Sequence, residues 1–258
     1  MNRSTRWMCM ALAVMLWMMQ PGFAAADDLD FLKPMWLNAL EDMQEQKRTE
    51  KNLVLAEPKV VSESEQIEVV RSSVYMQEEY ETEAYVYVEV KNTSQETIRP
   101  SETTLIVRDA NGKELAKREY ASCVPQVILP GESACIEEWF YDFVSDLSRV
   151  SSISVRIENS DYSRKKIAAQ LQAEAYVEGD YLMAQVTNTT DAVVYDIDVS
   201  AVVSGGDGKI LDMCNEGTFG VGVAPGSTIV LRSYLKDHTL DIVGTDTQIT
   251  ARGFAYTD

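Results

Sequence analysis

Histidine is nearly absent from this chain: among 258 residues, His238 is the only one. A hydrolytic centre needs a nucleophile, a base and an orienting acid brought together. Here the lone imidazole stands in a loop-like stretch beside Asp237 and near Asp241, with no Gly-x-Ser-x-Gly elbow and no Cys/His signature to complete such a set. No catalytic residue is therefore assigned. Cysteine is scarce as well, and Cys9, Cys123, Cys135 and Cys214 form no C-x-x-C pair, which argues against a zinc site.

Positive charge is also in short supply. Lys and Arg number 23 against 41 Asp and Glu, giving a formal net charge of −18. Such a surface repels phosphate backbones and anionic lipid, so nucleic-acid binding is excluded from the reading. Long apolar runs are missing after the first 26 residues, so no second segment approaches the length needed to cross a bilayer.

The one apolar run, residues 7–19, follows Arg3 and Arg6 and precedes Pro21 and the small-residue site Ala24-Ala25-Ala26. That layout is a cleavable export signal cut after Ala26 rather than an uncleaved anchor, and the chain is expected outside the cytoplasm. Removing residues 1–26 takes away two arginines and no acid, moving the net charge from −18 to −20. Cys9 leaves with the signal. Of the cysteines that remain, Cys123 and Cys135 flank Pro130-Gly131. They either face one another across a hairpin, as a disulfide worth about 3 kcal/mol by chain entropy, or stay buried thiols, with Cys214 left over.

Residues 28–51 change to a helical period, with Leu32, Trp36, Ala39, Leu40 and Met43 on one stripe and Glu41, Asp42, Glu45 and Lys47 opposite. This amphipathic helix docks on the first β domain of the chain, serves as a mobile leader, or binds a partner. Residues 52–66, mixed in composition and containing Pro58, read as a connector with room for a strand start.

From residue 67 onward the chain repeats itself at a shift of about 95. Val90-Lys91-Asn92-Thr93-Ser94 returns as Val186-Thr187-Asn188-Thr189-Thr190, Asn111-Gly112-Lys113 as Asp207-Gly208-Lys209, and Leu129-Pro130-Gly131 as Ala224-Pro225-Gly226. Alternation sends Val86, Val88 and Val90 to one face and Tyr85, Tyr87 and Glu89 to the other; Leu182, Ala184 and Val186 keep the same phase. Ala134 and Ile136 likewise match Ile229 and Leu231, with Trp139 and Tyr234 on the opposite side. About seven short strands per half, punctuated by turns, predict two tandem immunoglobulin-like β-sandwiches in an all-β chain. Their expected bounds are 67–159 and 168–258, joined end to end by a polar linker at 160–167.

The Val-x-Asn-Thr turn, the Asp109-to-Lys113 hairpin and the Leu129-Pro130-Gly131-Glu132 turn, echoed in the second half, resemble the small FxLYD-type and related immunoglobulin-like modules of exported bacterial proteins. In the stretch Leu105-Ile106-Val107-Arg108-Asp109 only the final Asp of the naming motif is in register. The resemblance implies a sandwich in or beyond the envelope. It implies no catalytic residues.

Other constellations have plain structural readings. Asp196, Asp198 and Asp207 lack the dense spacing of a calcium loop. Glu137 and Glu138 point to opposite faces of a strand. Asn92 and Asn188 satisfy the N-glycosylation pattern but suit turns equally well. No cofactor is indicated. The remaining functional feature is aromatic: Tyr85, Tyr87, Trp139 and Tyr141 share the face opposite the valine core. Exposed, they are a contact platform for an envelope protein or a glycan; covered, they pack under the helix or the other domain. Two readings stand side by side: an exported non-enzymatic interaction or spacer protein, or a ligand-binding or inhibitory protein that uses this face or the helix.

Overall fold

Period-two alternation becomes two packed layers in each half of the chain. In the computed structural model, which describes residues 53–56, 58–77, 83–141, 149–160, 165–235 and 247–257, every regular element is a strand. The expected export signal, the N-terminal helix with Trp36, and His238 lie outside the described residues, as do residues 161–164 of the expected linker. Among the described residues no helix is long and apolar enough to cross a membrane.

The first half contributes β1 (Leu53–Ala56), β2 (Lys59–Ser62), β3 (Ile67–Gln77), β4 (Ala84–Asn92), β5 (Pro100–Arg108), β6 (Glu114–Arg118), β7 (Ser122–Val124), β8 (Ser133–Phe140) and β9 (Ser152–Asn159). One sheet runs β1-β3-β4-β8-β7 and the other β2-β9-β5-β6. Val74, Val86, Val88, Val90 and Ile136 of the first sheet meet Leu105, Val107, Ile153 and Val155 of the second in one buried core. Full burial of each such aliphatic side chain contributes roughly 1.5–3 kcal/mol. β1 and β2 precede residue 67, so the stretch read as a connector with a strand start holds two short strands. Four-residue strands carry too little alternation to be seen in sequence; here they are held by β1 pairing with β3 and by β2 lying parallel to β9.

The second half holds β10 (Lys166–Glu178), β11 (Tyr181–Thr187), β12 (Ile197–Gly205), β13 (Ile210–Thr218), β14 (Thr228–Tyr234) and β15 (Thr247–Thr257). They form one sheet in the order β13-β12-β15-β10-β11-β14. β10 pairs with β15 up to Leu171 and with β11 from Gln172 onward, so the sheet folds over along this strand. Its two arms then bury Leu182, Ala184 and Val186 against Val199, Ala201 and Val203. Gly253 sits inside the fold: a Cβ there would come within 3.0 Å of Val186 Cγ1 and 3.4 Å of Ala173 Cβ and Leu171 Cβ. β10 already includes Lys166 and Ile167, two residues of the expected linker.

The shared phase is visible residue by residue. Val88 lies opposite Ile136 and Ala184 opposite Leu231, and both Val88 and Ala184 are fully buried. The asparagines that follow these strands are built alike. Asn92 Nδ2 donates to the carbonyls of Glu96 (2.8 Å) and Ile128 (2.9 Å), and its Oδ1 accepts from the amide and hydroxyl of Ser94. Asn188 Nδ2 donates to Ala192 (2.7 Å) and Val223 (2.8 Å), and its Oδ1 accepts from Thr190 in the same two ways. Their side chains are completely buried, with the amide protons engaged, so in the folded chain these are structural turn residues and not glycan acceptors.

Candidate interaction site: a seam between the halves and an aromatic strip

Strand alternation on β3, β4 and β8 turns Tyr75, Tyr85, Tyr87, Cys135 and Trp139 away from the first core. The sequence left open what covers them. The second half does: Val202, Ile210 and Met213 of β12 and β13 pack against Tyr75, Tyr85, Tyr87 and Cys135 in a separate hydrophobic cluster. The halves therefore meet through a sheet face rather than end to end. A face of this kind offers far more apolar area than the tip of a sandwich, and burying it favours the lateral arrangement.

Polar contacts fix the seam. Tyr75 hydroxyl donates to the Ile210 carbonyl at 2.8 Å and Tyr87 hydroxyl to Asp212 Oδ1 at 3.0 Å. Arg71 bridges Glu89 at 2.6 Å, Ser204 Oγ at 2.9 Å and the Gly208 carbonyl at 3.1 Å. Arg252 donates to the Ser133 carbonyl at 2.9 Å and to Glu132 at 3.0 Å. Its sequence counterpart Arg156 instead pairs with Glu63 at 2.7 Å within the first half. At the far end Val127, Phe254 and Tyr256 form a small cluster, where the Gln126 amide donates to Tyr256 hydroxyl at 3.0 Å. Burial pushes the Tyr75 hydroxyl up to about 12, and burial followed by the nearby Asp212 charge holds Tyr87 well above its ordinary value. Both phenols thus stay protonated donors.

The four aromatic residues singled out in sequence do not form one platform. Tyr87, Tyr85, Trp139 and Tyr141 are 0%, 8%, 37% and 57% exposed, a row that climbs from the seam to the surface. Neighbouring rings touch throughout, with centroids 6.5 Å apart for Tyr85 and Tyr87, 5.7 Å for Tyr85 and Trp139, and 4.3 Å for Trp139 and Tyr141. The Arg118 guanidinium lies 5.5 Å from the Tyr141 ring centre. At the exposed end opens a groove of about 580 Å³, lined by Tyr85, Trp139, Glu137, Glu216, Arg232 and Tyr234 among others. Rings with carboxylates between them can hold a sugar or a cationic side chain.

Of the two readings of Cys123 and Cys135, the structure takes the second: both are free thiols. In the register, Cys123 opposes Ile136 and Val124 opposes Cys135, a one-residue offset that sends the two thiols to opposite faces of the sheet. Cys123 packs on the first core and Cys135 in the seam. Burial raises both, Cys123 to about 12, so neither is poised as a nucleophile. Cys214 lies in the second core.

The remaining acids have structural surroundings. Asp196 Oδ1 accepts from the Gly220 amide at 3.1 Å and Asp207 Oδ1 from Lys209 at 3.0 Å. Asp198 is buried in the seam near Tyr256 and Gln126, and burial raises its carboxyl above the ordinary range. Among the described residues no group of three or more His, Cys, Asp or Glu could hold a metal ion. Sequence reasoning missed Arg232 as a lining residue of the groove. The shift that maps Trp139 onto Tyr234, two residues on from it along β14, was the signal that could have found it.

No protein-family model matches this chain, and no curated protein does. Among solved structures it is similar to red sea bream transglutaminase, with 13% identity, a TM-score of 0.20 and coverage of 73% of this chain and 31% of that one. It is also similar to a beta-glucuronidase from glycoside hydrolase family 2, with 10% identity, a TM-score of 0.15 and coverage of 73% and 20%. The chain thus spans under a third of the length of either enzyme, and neither activity passes to it.

Proposed function

We propose that this chain is an exported, non-enzymatic interaction or spacer protein of the bacterial envelope or exterior, built from two FxLYD-like modules. The observation that carries the reading is the seam. A spacer must hold its modules in fixed relation, and Tyr87 with Asp212, Arg252 with Glu132, and the buried cluster around Ile210 do that. The signal-like residues 1–26 support export. Fractionation of cells carrying a tagged chain tests this: the mature form, cut after Ala26, is expected outside the cytoplasm. An intact N-terminus on a cytoplasmic chain would refute it.

A second reading, ligand binding through the strip, is favoured by the exposure of Trp139 and Tyr141 beside the groove. Titration of Trp fluorescence with envelope glycans and with protein fractions separates the two. A saturable change that Trp139→Ala abolishes supports binding; a flat response leaves the spacer role.

A further inference from the structure

One half of the chain covers a sheet face of the other, and the matching face of the covering half is exposed among the described residues. Register defines the match. Tyr85 opposes Trp139 as Tyr181 opposes Tyr234, and Ser73 opposes Tyr87 as Tyr176 opposes Met183. In the first half Tyr75, Tyr85 and Tyr87 of this face are buried in the seam. In the second half Tyr176, Val230 and Tyr234 are 38%, 48% and 65% exposed.

The bare face is ordered already. Tyr181 and Tyr234 rings lie 4.3 Å apart with their hydroxyls hydrogen-bonded, and Arg232 stands 5.0 Å over the Tyr181 ring. Tyr, Met and Arg are the residues that interface centres concentrate, and side chains held in place lose little freedom on docking. The face is also continuous with the established seam, since the groove that holds Tyr85 and Trp139 is closed on its other side by Arg232 and Tyr234.

We propose that a second copy of this chain docks here, face to face through β10, β11 and β14, about a two-fold axis running along β11. The placement of charge selects that axis. Glu174 and Glu178 lie on β10, Arg232 lies on β14, and β11 runs between them. Rotation about β11 lays β14 of each copy over β10 of the other, so Arg232 meets the row Glu174, Tyr176, Glu178 twice. An axis across the strands would instead stack β10 on β10 and set acid against acid. For a chain of net charge −18, that difference decides between the two.

Sedimentation velocity of the purified chain over a concentration series is the test. A reversible monomer–dimer equilibrium is expected, weakened about tenfold or more by Arg232→Glu and by Val230→Lys. Adding Glu174→Arg and Glu178→Arg to Arg232→Glu should restore it. Met183→Cys, on β11, should give a covalent dimer on mild oxidation. Unchanged thermal unfolding of the exposed-site variants controls for folding. A chain that stays monomeric throughout overturns the proposal, whether residues 28–51 or a different protein then covers the face. So does a dimer indifferent to both charge variants and not cross-linked through position 183.

Discussion

Tyr87 and Asp212 stand 125 residues apart in sequence, yet the phenol of one donates to the carboxylate of the other at 3.0 Å in a buried seam. The same Oδ1 of Asp212 accepts the Met213 amide at 2.8 Å. The bond joins the middle of a sheet in one half to an edge strand of the other. Removing the hydroxyl with Tyr87→Phe takes a donor from a buried carboxylate and should lower stability by roughly 1–3 kcal/mol. Urea unfolding measures it, and a double-mutant cycle with Asp212→Asn should show coupling between the two sites. Additive effects would mean that the contact contributes nothing to the seam.

Asn92 and Asn188 should be equally intolerant of change. Ala at either position removes both donated bonds, including the buried one to Ile128 or Val223, and leaves the hydroxyl and amide of Ser94 or Thr190 without their acceptor, with an expected loss of roughly 1–3 kcal/mol. Asp should be worse, because it offers no donor and adds a buried charge. Production in a glycosylating host should leave the mass of the folded chain unaltered at both sites.

The seam and the first half should respond to acid in opposite senses. Arg108, with help from Arg156, holds the Glu63 carboxyl at about 2, below its ordinary 4.5. The stability this gives is present above pH 4.5 and lost as pH falls toward 2. Asp198 is shifted the other way by burial, so its ionisation weakens the fold at neutral pH and its protonation on acidification relieves that. Glu63→Gln should flatten the acid loss. Asp198→Asn should raise stability at about pH 7. Thermal unfolding between about pH 7 and pH 3 reads both slopes, and identical profiles for the two variants would contradict the assignment.

Cys123, Cys135 and Cys214 should resist alkylation in the native chain and react fully in denaturant, under oxidising and reducing conditions alike. A thiol count that falls after air oxidation would point to a bridge the register forbids.

Much of the architecture was legible locally. The phase of Val86, Val88 and Val90, its return at Leu182, Ala184 and Val186, and the turns at Gly112 and Gly208, with φ of 78° and 81°, follow from side-chain alternation and from the few residues that accept positive φ. β1 and β2 were legible only as a strand start within a connector because four residues hold too little pattern. Sequence could not choose between a bridge and free thiols for Cys123 and Cys135 because spacing does not give register, and one step of register reverses every face.

By itself, then, the sequence determined which side chains would be turned inward on each strand and where the chain would turn, since both depend on neighbours a few residues away. What lies over the outward face was decided only by tertiary structure. Tyr85 and Tyr87 share their alternation with Trp139, yet two are sealed beneath Ile210 and Met213 while the third reaches solvent. The distinction rests on how two sheets from distant parts of the chain slide over one another. Apolar burial drives that contact but has no direction of its own; hydrogen bonds such as Tyr75 to Ile210 fix its position.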